Sequence, residues 1–245
     1  FIQPIRGTEA VGKYNAAYKF VNAAAIIPSA IVLPLFPVFA RLSEDTHELH
    51  KWFSRAWKAL VIIAAPTCVI FTVFGSNIIE TFWGDQFLPE GGDALTILMW
   101  FLPFSYLNGL LQYILISVDR LREITVAFAI ASLTNITLNL ILLPIIGLLA
   151  AAYTTIIAEI LLLIIYLILL ADRALVQIIA ELTVKPLIAA TVMTVYLLLL
   201  ASSPWLVALI TSLLIYLIML LLLKAISIRE LLELKRALLL TDQRS

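Results

Sequence analysis

Asn135-Ile-Thr-Leu-Asn-Leu-Ile-Leu-Leu-Pro-Ile-Ile-Gly-Leu-Leu-Ala-Ala-Ala-Tyr-Thr-Thr-Ile-Ile-Ala-Glu159 decides the fold class of this chain. Apolar residues fill both arms, and a turn of only a few residues, Pro144-Ile-Ile-Gly147, joins them. Two helices linked this tightly must run antiparallel. Polar groups recur along both arms: Asn135 and Asn139 before the turn, Glu159 after it. Hydrocarbon penalises such groups, so in a membrane helix they face a protein interior or a water-filled path.

The rest of the chain agrees with a lipid solvent. Of 245 residues, 63% are hydrophobic and 13% charged, and mean hydropathy is +1.08. A soluble domain of this size could not hide that much apolar surface. The formal net charge of zero gives no sign of a nucleic-acid partner. The single cysteine, Cys68, can form no intrachain disulfide. The chain opens on Phe1 in a short apolar run to Ile5, with neither an initiator Met nor a signal-peptide pattern. We read it as a fragment beginning at the end of an earlier span.

Apolar runs of about 18–25 residues cross the ~30 Å hydrocarbon core as helices. Seven are expected, near residues 15–40, 56–74, 94–117, 124–144, 148–171, 184–201 and 205–223. The cations orient them. Every Lys and Arg except Arg6, Lys13 and Lys19 falls on one side of the resulting zigzag. The opposite side has loop 75–93, with Glu80, Asp85, Glu90 and Asp93, the 144–147 turn, and Ser202-Ser203-Pro204. The positive-inside rule puts the basic side and the C-terminus in the cytoplasm of a multi-pass protein of the cell membrane. Two basic-side stretches, 41–55 and 226–240, mix apolar and charged residues. They suit interfacial helices in the headgroup layer, or amphipathic packing helices.

Helical spacing gathers the polar residues of four spans onto single faces. The first carries Asn15, Tyr18, Asn22 and Ser29, with Lys19 beside them. The third carries Ser105, Asn108 and Gln112, the fourth Thr125, Ser132, Asn135 and Asn139, and the fifth Thr155, Glu159 and Tyr166. The last two spans have only scattered polar residues and read as lipid-facing accessory helices. Interhelical hydrogen bonds, each worth about 1 kcal/mol or less, are the alternative account of any one such residue. Glu159 is the sharpest. Counted from Leu148 it lies ~17 Å deep, near the midplane, where a charge costs roughly 3 kcal/mol to insert. It is either a proton-binding group or a neutral carboxyl bonded to a neighbouring Asn or backbone carbonyl. Lys19, about a turn into the first span, either attracts a phosphate or snorkels to the headgroups. Prolines 28, 34 and 37 interrupt the first span, Pro66 the second and Pro103 the third; broken helices are common at transporter sites and also simply tolerated in membranes. There is no Gly-rich phosphate loop and no Cys/His metal set. His47 and His50 provide two ligands at best.

Four segments resemble the C-terminal half of the polysaccharide and O-antigen flippases, within the multidrug/oligosaccharidyl-lipid/polysaccharide exporter superfamily. They are Gly7-Thr-Glu-Ala-Val-Gly-Lys-Tyr14 with Ala16-Ala17-Tyr18-Lys19, Leu33-Pro-Leu-Phe-Pro-Val-Phe-Ala-Arg-Leu42, Leu107-Asn-Gly-Leu-Leu-Gln-Tyr-Ile-Leu-Ile116, and the Asn135–Glu159 hairpin. The likeness covers roughly residues 5–170. It implies an all-α polytopic membrane protein, the second lobe of a two-lobe, 14-helix transporter. Residues 1–14 would be the end of a truncated span and an outer loop, 15–172 five spans of the lobe, 173–223 two accessory spans, and 224–245 an amphipathic cytoplasmic tail.

The family transports rather than catalyses, so no catalytic residue, cofactor or metal is implied. Its cargo is a lipid-linked oligosaccharide moved to the outer leaflet by alternating access, often driven by a proton or sodium gradient. Carried to this sequence, Lys19 would contact the anionic headgroup. Asn22, Asn108, Gln112, Asn135 and Asn139 would face the sugars, and Glu159 would couple the ion. The implied partners are membrane lipids and an N-terminal lobe absent from this sequence. A drug/cation exporter or a peptidoglycan-precursor flippase of the same superfamily is the alternative. A metal-dependent lipid-phosphate transferase would need an Asp or His cluster that is absent, and a scaffold would leave four polar stripes without purpose.

Overall fold

The computed structural model describes residues 2–42, 45–200 and 204–226, with side chains from Gly7 onward. It is helical, with no strand among the described residues. Seven helical segments are long and apolar enough to cross a membrane: Gly7–Arg41, Thr46–Trp83, Glu90–Ser117, Leu121–Ile146, Leu149–Leu170, Arg173–Leu199 and Trp205–Leu222. Each contains one of the seven expected spans or nearly coincides with it.

The first segment is α1 (Ile2–Val32), a 3-10 turn at Leu33–Leu35, and α2 (Phe36–Arg41). Gly7 breaks α1 with φ 84, ψ 176, a conformation that glycine adopts at little cost. The helix resumes at Thr8, two turns before the expected start of the span. Next comes α3 (Thr46–Trp83), 38 residues and about 57 Å long, nearly twice the hydrocarbon thickness. Asp45 caps it by accepting from the Glu48 N–H at 3.1 Å. The 41–55 stretch is therefore no separate interfacial helix. From Thr46 it is the first turns of α3, and Leu49 and Phe53 are buried against the bundle. Loop 75–93 is likewise mostly helical: α3 runs to Trp83, a 3-10 turn spans Asp85–Phe87, and α4 (Glu90–Leu98) starts at Glu90. Amphipathic continuity carries both helices past the apolar limits on which span prediction relies. The 226–240 stretch lies, after its first residue, outside the described residues.

A 3-10 turn at Met99–Phe101 leads from α4 into α5 (Leu102–Ser117). The hairpin is α6 (Leu121–Ile146) and α7 (Leu149–Leu170), turning at Gly147 with φ 70, ψ −147. α8 (Arg173–Leu199) and α9 (Trp205–Leu222) form a second antiparallel pair that packs on α3. Trp57 Nε1 donates to Thr183 Oγ1 at 3.1 Å, and Tyr216 Oη donates to the Ile62 carbonyl at 3.0 Å. The core sits where α3, α4 and α5 meet, with Ile79, Leu95, Leu98 and Leu110 fully buried.

Candidate functional site

Three of the four polar stripes meet at one level of the bundle. α1 packs on α5 and α5 on α7, and between them lies a cavity of about 290 Å³. Ser29 enters it from α1, Ser105, Asn108 and Gln112 from α5, and Glu159 from α7; Phe128 of α6 closes one side. Glu159 is the eleventh of the 22 residues of α7, so its carboxyl lies midway along the helix. Asn108 is buried, and its Nδ2 donates to Glu159 twice: to Oε2 at 2.7 Å and to the backbone carbonyl at 2.9 Å. Both amide hydrogens are thereby used, while the buried Asn108 Oδ1 has no hydrogen-bond partner. An orphaned acceptor beside a carboxyl can take a proton-bearing or cationic guest. Toward the basic end of the bundle, the Tyr166 hydroxyl is also buried without a partner, its ring edge-on to Phe128.

The other proposed site residues lie elsewhere. Asn22 is exposed. It stands seven residues before Ser29, on the same face of α1 but about 10 Å nearer the 144–147 turn. Asn135 stands in the same relation to Phe128 on α6. Asn139 donates to the Asn135 carbonyl at 2.9 Å and to its Oδ1 at 3.1 Å, so this pair bonds along its own helix. Lys19 points away from the cavity. Its ammonium lies 4.5 Å from the Trp83 ring centroid, at the far end of α3. That is a cation–π contact near the headgroup level. The stripes therefore keep their faces but divide into two levels, and only Asn108, Gln112 and Glu159 share the cavity.

Two clusters escaped sequence reasoning. At the turn end, Lys13 Nζ bonds Glu90 Oε2 at 2.5 Å and Glu9 Oε1 at 2.9 Å. With Asp93 and the Gly147 turn these residues rim a depression of about 550 Å³. The signal was one of the few cations on the acidic side, facing loop 75–93 across 77 residues of chain. At the basic end, His50 Nε2 and Asp172 Oδ2 are 2.7 Å apart. Asp172 also caps α8, accepting from the N–H groups of Ala174 and Leu175. Partial burial raises the Asp172 carboxyl, but His50 and the two amides outweigh it and hold it below the usual carboxylate range. Among the described residues, no three His, Cys, Asp or Glu side chains are grouped to hold a metal.

Residues 1–90 match the family described as polysaccharide biosynthesis protein. An uncharacterized membrane protein of Methanocaldococcus jannaschii is 26% identical over 153 residues, which are 61% of this chain and 30% of that protein. Among solved structures, the lipid II flippase MurJ in its inward closed conformation superposes with a TM-score of 0.71 at 18% identity, over 86% of this chain and 46% of that one. The flippase resemblance read from the sequence agrees with both the family match and the fold. The chain spans less than half the length of either relative.

Proposed function

From a chain whose first ninety residues match a polysaccharide biosynthesis family and whose fold is that of a flippase, we infer one lobe of a flippase for lipid-linked glycans. A second lobe completes the transport path, and alternating access between the two carries the cargo across the cytoplasmic membrane. The basic end, with the C-terminus, faces the cytoplasm. The observation that carries this reading is the cavity in which Asn108 holds Glu159 at mid-membrane depth. An ionisable group at that depth is costly and marks a functional site by default; with the unpartnered Asn108 Oδ1 beside it, Glu159 is the coupling site for a proton or sodium gradient. Gln112 contacts the glycan at the cavity, and Asn22, Asn135 and Asn139 contact it at the outer level. Lys19, parked on Trp83, meets the anionic headgroup near the outer leaflet.

The cargo is a polyprenyl-diphosphate oligosaccharide. A peptidoglycan precursor is the second reading, favoured by the fold match to a lipid II flippase. Glu159→Gln in the full-length protein tests the assignment. The variant keeps the shape and the Asn108 bond, so insertion and expression should match the parent. Movement of a labelled lipid-linked glycan in proteoliposomes should fall at least tenfold, a rise of about 1.4 kcal/mol in the transport barrier. Undiminished transport removes Glu159 from the mechanism. Offering lipid II beside a lipid-linked O-antigen unit separates the two cargoes.

A further inference from the structure

A proline inside a helix has no N–H for the carbonyl four residues before it. Pro28 and Pro66 therefore release the carbonyls of Ala24 and Ile62. Each released carbonyl is taken by a side chain from another segment. Tyr106 Oη donates to Ala24 at 2.8 Å and Tyr216 Oη to Ile62 at 3.0 Å. Tyr106 and Tyr216 are both buried, so water does not substitute for them.

The first of these contacts borders the Glu159 cavity. Ala25, Pro28, Ser29 and Val32 are its α1 wall. Below Pro28 the wall is unevenly held: Ser29, Ala30 and Leu33 are exposed and the 3-10 turn at Leu33–Leu35 interrupts the helix, while Val32 is buried in the core. Phe36 of α2 packs on Tyr113 of α5, ring centroids 5.4 Å apart. Above this stretch the Tyr106 hydroxyl is a polar tie between α1 and α5.

We propose that Tyr106 is a positioning residue: by holding the carbonyl that Pro28 releases, its hydroxyl sets the bend of α1 and so the width of the cavity between Ser29 and Gln112. Its importance for transport rests on the reading of the Glu159 cavity given above. The geometry itself does not.

The test is disulfide cross-linking in native membranes, without substrate, of the full-length protein carrying S29C and Q112C with Cys68→Ser, whose hydroxyl takes over the thiol's bond to the Met99 carbonyl. Y106F removes one oxygen and keeps the ring. A net hydrogen bond of about 1 kcal/mol corresponds to about a fivefold shift in a conformational equilibrium, so the cross-linking rate should change about fivefold. Y216F, which frees the Ile62 carbonyl on α3, should leave that rate unaltered. In a P28A background the Ala24 carbonyl regains a helical N–H, and Y106F should then have no effect. If Y106F alone fails to accumulate, its recovery in P28A reads the same coupling. The proposal is overturned by an unchanged rate in Y106F, by an equal change in Y216F, by an effect that persists in P28A, or by failure of P28A to restore accumulation. Transport by E159Q is measured separately, so either reading can fail alone.

Discussion

Gly92→Ala should destabilise the bundle although alanine is the better helix former. Gly92 lies in α4 where it crosses α3. A Cβ built there would sit 2.5 Å from Ser76 Oγ, 2.9 Å from Ser76 Cα and 3.2 Å from Ser76 Cβ. The hydroxyl can rotate away, but the Cα cannot. Carbon–carbon contacts become comfortable only near 3.5 Å, so the two helices must part by roughly half an ångström. The separation loosens Ile79, Ala94 and Leu95, all fully buried nearby. Overpacking of this kind costs about 1–3 kcal/mol, against a propensity gain of about 0.5–1 kcal/mol for replacing glycine in a helix. The net loss is about 0–2.5 kcal/mol, centred near 1 kcal/mol, which in a chain of this size lowers the melting temperature by about 2–4 °C at the centre of that range. Thermal unfolding of the full-length protein in detergent reads it. Gly12→Ala is the internal control: no atom lies within 4 Å of its Cβ, and it should hold or raise the melting temperature. Ser76→Gly in the G92A background should recover only part of the loss, because Ser76 Cα remains. A G92A protein as stable as its parent would refute the close-crossing argument.

Two further outcomes concern the ends of the bundle. Lys13→Ala and Glu90→Ala should each lower stability slightly, and a double-mutant cycle should give a small favourable coupling, weakened by salt, since Glu90 is half exposed; a coupling of zero removes the Lys13–Glu90 bond as a tie between α1 and α4. Asp172→Asn should destabilise the attachment of α8 at neutral pH, because a carboxyl held below its ordinary value stabilises the fold once ionised. That contribution is lost as pH falls through the lowered value, so the gap between D172N and its parent should close below about pH 4. A gap that widens in acid would contradict the role of the ionised form.

The seven spans were legible because the relevant signal is length and apolarity, and hydrocarbon leaves the backbone no alternative to helices there. Helix ends were not. α3 continues beyond the lipid at both ends on a different basis. Asp45 supplies the cap, and Leu49 and Phe53 bury a packing face that hydropathy averages away among Glu48, Lys51 and Arg55. The 144–147 turn was readable from composition, since the conformation at Gly147 favours glycine. The His50–Asp172 and Lys13–Glu90 pairs span 122 and 77 residues, and no periodicity within one helix relates such positions.

The polar stripes show where sequence reasoning about membrane sites stops. Helical spacing fixes the angle of a residue about its axis, and on that count Asn22, Ser29, Asn135 and Glu159 were all sound candidates. Spacing says little about the level at which one helix meets another. That level separates Glu159, bonded across to α7's neighbour α5 through Asn108, from Asn139, whose amide donates only to Asn135 within α6 while its buried Oδ1 has no partner. Features that side-chain polarity does not register also bear on it: the Gly75–Gly92 crossing that seats α4 on α3, and the carbonyls that prolines release to Tyr106 and Tyr216. A tyrosine in an apolar run looks like ordinary core. Paired with a proline on another helix, it becomes a fastening whose loss leaves a buried carbonyl unsatisfied. Tyr106 on the Ala24 carbonyl ties α1 to α5, and Asn108 on Glu159 ties α5 to α7, so Ser29, Gln112 and Glu159 share one level.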